Sequence, residues 1–376
     1  MPDNSPYEST SLSVRSRIYR ILYDDTEGFC SKQALARLCG VSMPTLYQNL
    51  NPLMEEGLVR YSGEGVSTGG RKAQGLEIVP DARISVGISV TEHHLRLIAA
   101  DLRLKELAFR AVPYDFVSSL TQEESASAVL ETFLDDFSLD RKRLLGVGIT
   151  IPGLLSEDRS RILFAPTLGL RGVELGKLTQ HIPYPVHVDN DGSASGHAEC
   201  FVRGGRQNMA YLSLENGIGG AVLMKGRLYE GSRAHSGEFG HLCIEPGGLR
   251  CTCGKYGCLE PYCSPRRIAE TFGVSLETFF AGVEAHRPEY EQLLYDMLRH
   301  LAIGISAIHM VLDCDVVLGG YFSEYLQPYL PVLKQYVLAG NAFEENADFV
   351  QLSRLRHNIT PLGAALCFIR EFVNRV

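Results

Sequence analysis

Between Gly237 and Glu260 the chain reads Gly-Glu-Phe-Gly-His-Leu-Cys-Ile-Glu-Pro-Gly-Gly-Leu-Arg-Cys-Thr-Cys-Gly-Lys-Tyr-Gly-Cys-Leu-Glu, and this stretch constrains the fold more than any other. His241, Cys251, Cys253 and Cys258 offer one nitrogen and three sulfurs, a donor set that suits tetrahedral Zn²⁺. Gly254 and Gly257 permit the tight turns that wrap a short loop around one ion. Four protein ligands leave no open position, so the metal is expected to be structural. A Cys251–Cys253 disulfide would be strained at that spacing. Ten cysteines occur in all. Cys243 and Cys263 flank the cluster in apolar surroundings and are expected to be core thiols; Cys30, Cys39, Cys200, Cys314 and Cys367 are scattered and carry no assigned chemistry.

No apolar run approaches the ~18 residues that a membrane span needs. The N-terminal residues lack the apolar stretch of a secretory signal, so a cytoplasmic protein with reduced thiols is expected. At 376 residues the chain calls for two or three domains. Its first part is patterned for helices: Ile18, Ile21 and Leu22 share one face, Ser31 and Ser42 stand at N-cap positions, and Gly40 and Gly57 are stop signals. Leu46, Leu50, Leu53 and Met54 form the apolar stripe of a third helix. Leu58–Tyr61 and Gly75–Val79 then read as strands on either side of a glycine-rich tip at Gly63–Gly70. Three helices and a two-stranded wing make residues 1–81 a winged helix-turn-helix domain.

In such a domain the exposed side of the third helix meets base edges. With the leucine stripe inward, Pro44, Thr45 and Gln48 face outward; Gln48 can bond adenine and Thr45 a thymine methyl or a phosphate. Arg71 and Lys72, on the wing, are expected to reach the DNA backbone. Residues 1–80 hold 8 basic and 9 acidic side chains, and the whole chain has a formal charge of −8, so DNA binding rests here on pattern and not on net charge. Pro52 falls inside the third helix and is expected to end or bend it, leaving Met43–Asn51 as the reading segment.

Beyond Pro80, short apolar runs alternate with longer helical patterns. Strands are expected at Ile84–Val90, Leu95–Ala100, Leu145–Ile151, Val186–Val188, Met209–Leu214, Ala221–Met224 and Val316–Leu318. Helices are expected at Gln122–Phe137, Ile268–Phe272, Tyr290–Leu312 and Glu324–Val337. The mixture is α/β.

The spacing His-x9-Cys-x-Cys-x4-Cys, opened by Gly-Glu-x-Gly-His and running into Cys-Leu-Glu, resembles the ROK family of repressors and sugar kinases, and in particular its glucose- and N-acetylglucosamine-responsive repressors. Val317-Leu-Gly-Gly320 and Pro361-Leu-Gly-Ala-Ala365 extend the likeness toward the C-terminus. The resemblance implies a two-lobed actin/hexokinase-like (ribonuclease H-like) ATPase fold after the winged helix. Its first lobe would span residues 82–188, completed by a segment at about 358–376; residues 189–357 would form the second lobe. It further implies that Asn190, Asp191, Glu238, His241 and Glu260 line a sugar site between the lobes, His241 joining metal and sugar. The chemistry agrees, since sugar hydroxyls want paired acceptors. Those residues include no cation for a phosphate, so a neutral sugar is expected.

Departures from the kinase pattern are specific. The family kinases open with Asp-x-Gly-Gly-Thr, and here Ser89 stands at the Asp position with Thr91-Glu92 at the glycines. Their Gly-Thr-Gly-x-Gly loop reads Glu215-Asn-Gly-Ile-Gly219, placing a carboxylate where polyphosphate would lie. The expectation is therefore a regulator and not an enzyme: a sugar-responsive repressor of carbohydrate uptake or catabolism genes, acting as a homodimer or larger homo-oligomer on operator DNA and released when sugar binds between the lobes. A regulator controlled by a phosphotransfer-system protein is the alternative, and an ATP-dependent sugar kinase a more distant one.

Overall fold

The computed structural model describes residues 12–25, 30–62, 75–116 and 126–376. Arg71, Lys72 and the expected wing tip lie outside the described residues. The N-terminal unit holds α1 (Val14–Asp24), α2 (Lys32–Cys39) and α3 (Met43–Glu55), followed by β1 (Val59–Tyr61) and β2 (Leu76–Ile78), which pair antiparallel. Serine starts each helix: the hydroxyls of Ser13, Ser31 and Ser42 accept from the backbone N–H three residues on. Gly40, at φ +64°, ends α2 in the left-handed region. Leu46, Leu50 and Leu53 are fully buried against α1 and α2. Contrary to the sequence expectation, α3 passes through Pro52 and ends at Glu55. Pro52 lies in the last turn, where its missing donor deprives only the Gln48 carbonyl, and its own carbonyl still accepts from Glu56 at 2.9 Å.

The remainder forms two five-stranded sheets of the same topology. The first comprises β3 (Ile84–Val90), β4 (His94–Asp101), β5 (Glu106–Pro113), β6 (Leu144–Ile151) and β10 (Val186–Asn190), in the order β5-β4-β3-β6-β10. The second comprises β11 (Met209–Leu214), β12 (Ile218–Met224), β13 (Arg227–Leu228), β14 (Asp315–Gly319) and β15 (Val350–Leu352), in the order β13-β12-β11-β14-β15. Each is an antiparallel meander of three strands extended by two parallel ones. A small sheet of β7 (Leu154–Leu155), β8 (Arg161–Ala165) and β9 (Leu170–Glu174) overhangs the first. The expected helix at Glu324–Val337 is instead a 3₁₀ segment, Tyr321–Tyr329, followed by an α-helix, Leu330–Ala339. Pro328 and Pro331 account for the break, since neither donates a backbone hydrogen bond.

Two helices fill the space between the sheets. The helix Asp191–Val202 packs on β11 and β12, and the C-terminal helix Ile359–Arg375 packs on β3 and β6. They cross in near-backbone contact: a Cβ on Gly363 would sit 2.1 Å from the Ala194 carbonyl oxygen, and one on Gly148 of β6 would sit 1.9 Å from the Ala364 carbonyl oxygen. Ser195 and Thr360 join hydroxyls across the crossing at 3.0 Å. Gly363→Ala is therefore expected to lower stability by about 1–3 kcal/mol through overpacking, measured by denaturant or thermal unfolding. Gly176→Ala, where a Cβ meets open space, should leave stability nearly unchanged.

Candidate functional site

After β13 the chain enters the loop that carries the sulfur ligands. Phe239–His241 forms a 3₁₀ turn, and backbone bridges at Cys243–Cys258 and Arg250–Tyr256 fold the remainder back as a hairpin. Gly254 and Gly257 have φ of +86° and +82°, so the turns require glycine. The ligand atoms of His241, Cys251, Cys253 and Cys258 all lie within 4.8 Å of one another. Cys253 Sγ is 3.8 Å from Cys258 Sγ, and Cys251 Sγ is 3.6 Å from His241 Nδ1. A tetrahedron with Zn–S bonds of about 2.3 Å has S···S edges of about 3.8 Å, so the four residues fit Zn²⁺. Cys263 is buried as expected, but Cys243 is exposed. Its backbone forms the bridge to Cys258, and this turns the thiol away from the core.

All five expected sugar-site residues line one cleft of about 480 Å³ between the lobes, together with Gly153, Phe164 and Thr360. Their side chains are not equally free. Asn190 caps the helix Asp191–Val202, its Oδ1 accepting from Ser193 N at 3.0 Å while its Nδ2 donates to the Gly153 carbonyl at 2.8 Å. Glu260 accepts from Thr252 of the knuckle at 2.9 Å and from Ile218 N–H at 3.0 Å. It thereby stitches the knuckle to the start of β12. Asp191, in the first turn of its helix, accepts from Gly192 N–H and faces the cleft. His241 turns Nδ1 toward the sulfurs, and its Nε2 lies 3.9 Å from Glu238 Oε2. Asp191, Glu238 and the Nε2 edge of His241 thus retain the most hydrogen-bonding capacity for a ligand, and Asn190 and Glu260 hold the walls.

The other arm of the cleft is lined by Ser89, Thr91, Glu92, Arg96, Glu215 and Asn216. Thr91 closes a tight turn between β3 and β4: its hydroxyl donates to the His94 carbonyl at 3.0 Å and accepts from His94 N–H at 3.1 Å. Thr91 and Glu92 thus put side chains on the turn where the resemblance places the kinases' glycines. Burial pushes the Glu215 carboxyl up to about 7, with nearby Arg96 opposing and Asp191 adding to the rise. Glu215 is thus only partly charged at neutral pH, which tempers the electrostatic repulsion expected from sequence. Arg96 and Arg266 also line the cleft, two cations that sequence reasoning missed. They come from β4 and from the start of the helix Arg266–Phe272, each just outside a motif and belonging to none.

On α3, Gln48 is exposed and Thr45 half-buried, with its hydroxyl 2.9 Å from that of Ser42. Tyr47 and Asn51 share the exposed face, and Lys32 of α2 stands over the Tyr47 and Tyr61 rings at 5.0 and 4.8 Å. This cation at the edge of the reading face also escaped the sequence reading, since a lone lysine carries no pattern.

Burial raises the Asp191 carboxyl to about 6, above the ordinary 3.8. The folded protein then holds a proton that the unfolded chain releases between about pH 4 and 6. The charged form costs stability above that window, and the cost fades as pH falls through it. Asp191→Asn removes the charge, so it should raise stability at pH 8 by about 1–2 kcal/mol, discounted for water reaching the cleft. The gain should shrink toward pH 5. Thermal unfolding of both proteins across that range checks this.

No helix among the described residues is long and apolar enough to cross a membrane. Comparison with known proteins agrees with the geometry. The chain is 30% identical over 336 residues to a xylose repressor of Bacillus subtilis, covering 88% of this chain and 82% of that protein. It is 23% identical over 382 residues to the DNA-binding transcriptional dual regulator NagC of Escherichia coli, covering 96% and 93%. Among solved structures, a ROK family transcriptional regulator, a homolog of the E. coli MLC protein, superposes with a TM-score of 0.75 at 21% identity over 96% of both chains. A ROK family glucokinase from Streptomyces griseus, solved with glucose and AMPPNP, superposes with a TM-score of 0.63 at 21% identity, covering 76% of this chain and 98% of that one. The ROK family profile itself matches residues 85–371, and on this match the chain belongs to the ROK family.

Proposed function

We propose that the protein is a sugar-responsive transcriptional repressor of carbohydrate uptake or catabolism genes, acting in the cytoplasm. One observation carries this: a cleft rich in hydroxyl acceptors is lined by the first turns of two helices, Asp191–Val202 and Ile359–Arg375, whose far ends share the apolar core of a winged helix. The sugar lies against Asp191, Glu238 and His241. Asp191 and Glu238 accept from hydroxyls, and the Nε2 edge of His241 supplies a further polar contact. One Zn²⁺ per chain, held by His241 Nδ1, Cys251, Cys253 and Cys258, fixes the imidazole in place and neutralises thiolate charge. The repressors among its relatives direct the search to D-xylose and N-acetylglucosamine. Five carboxylates against two arginines along the cleft favour an unphosphorylated sugar.

On DNA, Thr45 and Gln48 meet base edges and Arg71 and Lys72 the backbone. The domain limits follow the same scheme: 1–81 for the reader, 82–188 with 358–376 for the first lobe, and 189–357 for the second. A homodimer presents two readers to a near-palindrome. The long helix Pro288–Leu312 supports it, for Ile303, Met310 and Val311 are exposed along its outer side.

A thermal-shift panel of D-xylose, N-acetylglucosamine, glucose and their phosphates tests the effector. A sugar at 100 times its dissociation constant should add about 2.7 kcal/mol of stability and release the protein from an operator duplex in a gel-shift titration. An operator complex indifferent to every sugar but dissolved by a phosphotransfer-system protein would move the response to a protein surface. Elemental analysis should find one zinc per chain, lost in Cys253→Ser. Chelation should weaken sugar binding, because His241 serves both sites.

A further inference from the structure

The two central helices both run from the cleft to the winged helix. Asp191 and Thr360, in their first turns, line the cleft, and Phe201 and Phe372 near their far ends lie under α1. At 1.5 Å per residue these helices are about 18 and 25 Å long, so the cleft and α1 are joined by two stiff rods. The rods belong to different lobes, one resting on β11 and β12 and the other on β3 and β6.

α1 straddles their ends. Tyr19 meets Phe372 edge-on at 6.0 Å between ring centroids, and Ser16 Oγ donates to the Val376 carbonyl at 3.1 Å. One turn further on, Tyr23 lies 6.4 Å from Phe201 on the other rod. The turn between β4 and β5 locks the end of α1. The Arg103 guanidinium donates to the carbonyls of Leu22, Tyr23 and Asp25 and stands over the Tyr23 ring at 5.0 Å. In return the Tyr23 hydroxyl donates to the Leu102 carbonyl. Asp101 holds this turn by accepting from Arg103 N–H and Lys105 N–H. On its other side α1 packs against α3 in the buried core and pairs Arg15 with Glu56 at 2.6 Å.

We propose that α1 is the joint through which closure of the lobes reaches the DNA-reading helix, with Tyr19, Tyr23 and Arg103 as its positioning residues; this rests on the cleft being the effector site. A helix seated on one lobe would follow that lobe as a rigid body. A helix seated on both must tilt or lose a contact when the lobes turn against each other. A rotation of about 5° at the cleft end of an 18 Å rod displaces its far end by roughly 1.6 Å, within the 1–2 Å range of helix shifts in switching proteins.

The test uses the full chain, an operator duplex selected by the wild type from random sequence, and D-xylose and N-acetylglucosamine as probes. The readout is the ratio of operator dissociation constants with and without sugar, which linkage requires to equal the effect of operator on sugar affinity. Wild type should show a ratio of about fivefold or more. Tyr23→Ala and Arg103→Ala should bring it below about twofold while sugar affinity in the absence of DNA stays within twofold. Tyr23→Phe, which keeps the ring on Phe201, should retain most of the ratio. Wild-type ratios in both alanine variants would overturn the joint and leave the repressor function standing. If an alanine variant loses operator binding with and without sugar, Arg103→Lys decides, because it keeps the cation and gives up the fork: a reduced ratio supports the joint and an unchanged one overturns it. If no sugar of the thermal-shift panel alters operator binding by wild type while the chain still binds the operator, the sugar-effector reading falls, and the joint with it.

Discussion

The close crossing of the helices Asp191–Val202 and Ile359–Arg375 is the contact on which the rest of the structure depends. With Gly363 against the Ala194 carbonyl there is no room for a side chain between them, so the two helices meet at backbone distance and the two sheets stand apart by the thickness of this helix pair. That spacing fixes the width of the cleft at one end and the seat of α1 at the other. Interiors packed this closely respond to a ligand by switching between discrete arrangements and not by gradual deformation. The winged helix is likewise joined to the two central helices by packing, since one apolar core holds residues of all three helices of the winged helix and of both rods.

Within the cleft, the division between engaged and free side chains matters more than the count of polar residues. Asn190 and Glu260 are committed to a helix cap, a loop carbonyl, the knuckle and the start of β12. They hold the geometry. Asp191 and Glu238 keep acceptors to offer, and each is half-buried in the cleft wall, which raises its pKa and makes its charge costly. An incoming hydroxyl relieves part of that cost, so the site is strained without its ligand in an electrostatic sense only.

Much of this was legible in the sequence, because the signals were local. Serine caps marked the second and third helices of the winged helix, though not the Ser13 cap of the first, and the central strands showed as apolar runs; Met209–Leu214 falls on the residues read from sequence alone. The ligand spacing announced the knuckle. The helix Asp191–Val202 did not show, although it links the cleft to α1. Its sequence, Asp-Gly-Ser-Ala-Ser-Gly-His-Ala-Glu-Cys-Phe-Val, is dominated by small residues that weaken helix propensity and blur the apolar stripe. Those residues are what the tight crossing demands, so the tertiary requirement masked the local one. Arg96 and Arg266 were missed for another reason: they reach the cleft from separate elements, and only the fold brings them together.

The turn between β3 and β4 bears on how this chain relates to its catalytic kin. Thr91 closes it with two hydrogen bonds to His94, and the strands on either side remain in register from Val90–Leu95 down to Ile84–Asp101. The turn is as long as the kinase motif it replaces, so what separates the two is side-chain chemistry: Ser89 in place of a carboxylate, and Thr91 and Glu92 where glycines would stand. A return to phosphoryl transfer would have to restore the carboxylate and both glycines together, since no one of these changes alone makes a phosphate cradle. The turn thus acts as an evolutionary ratchet, in which each single step back has no effect until the others are in place.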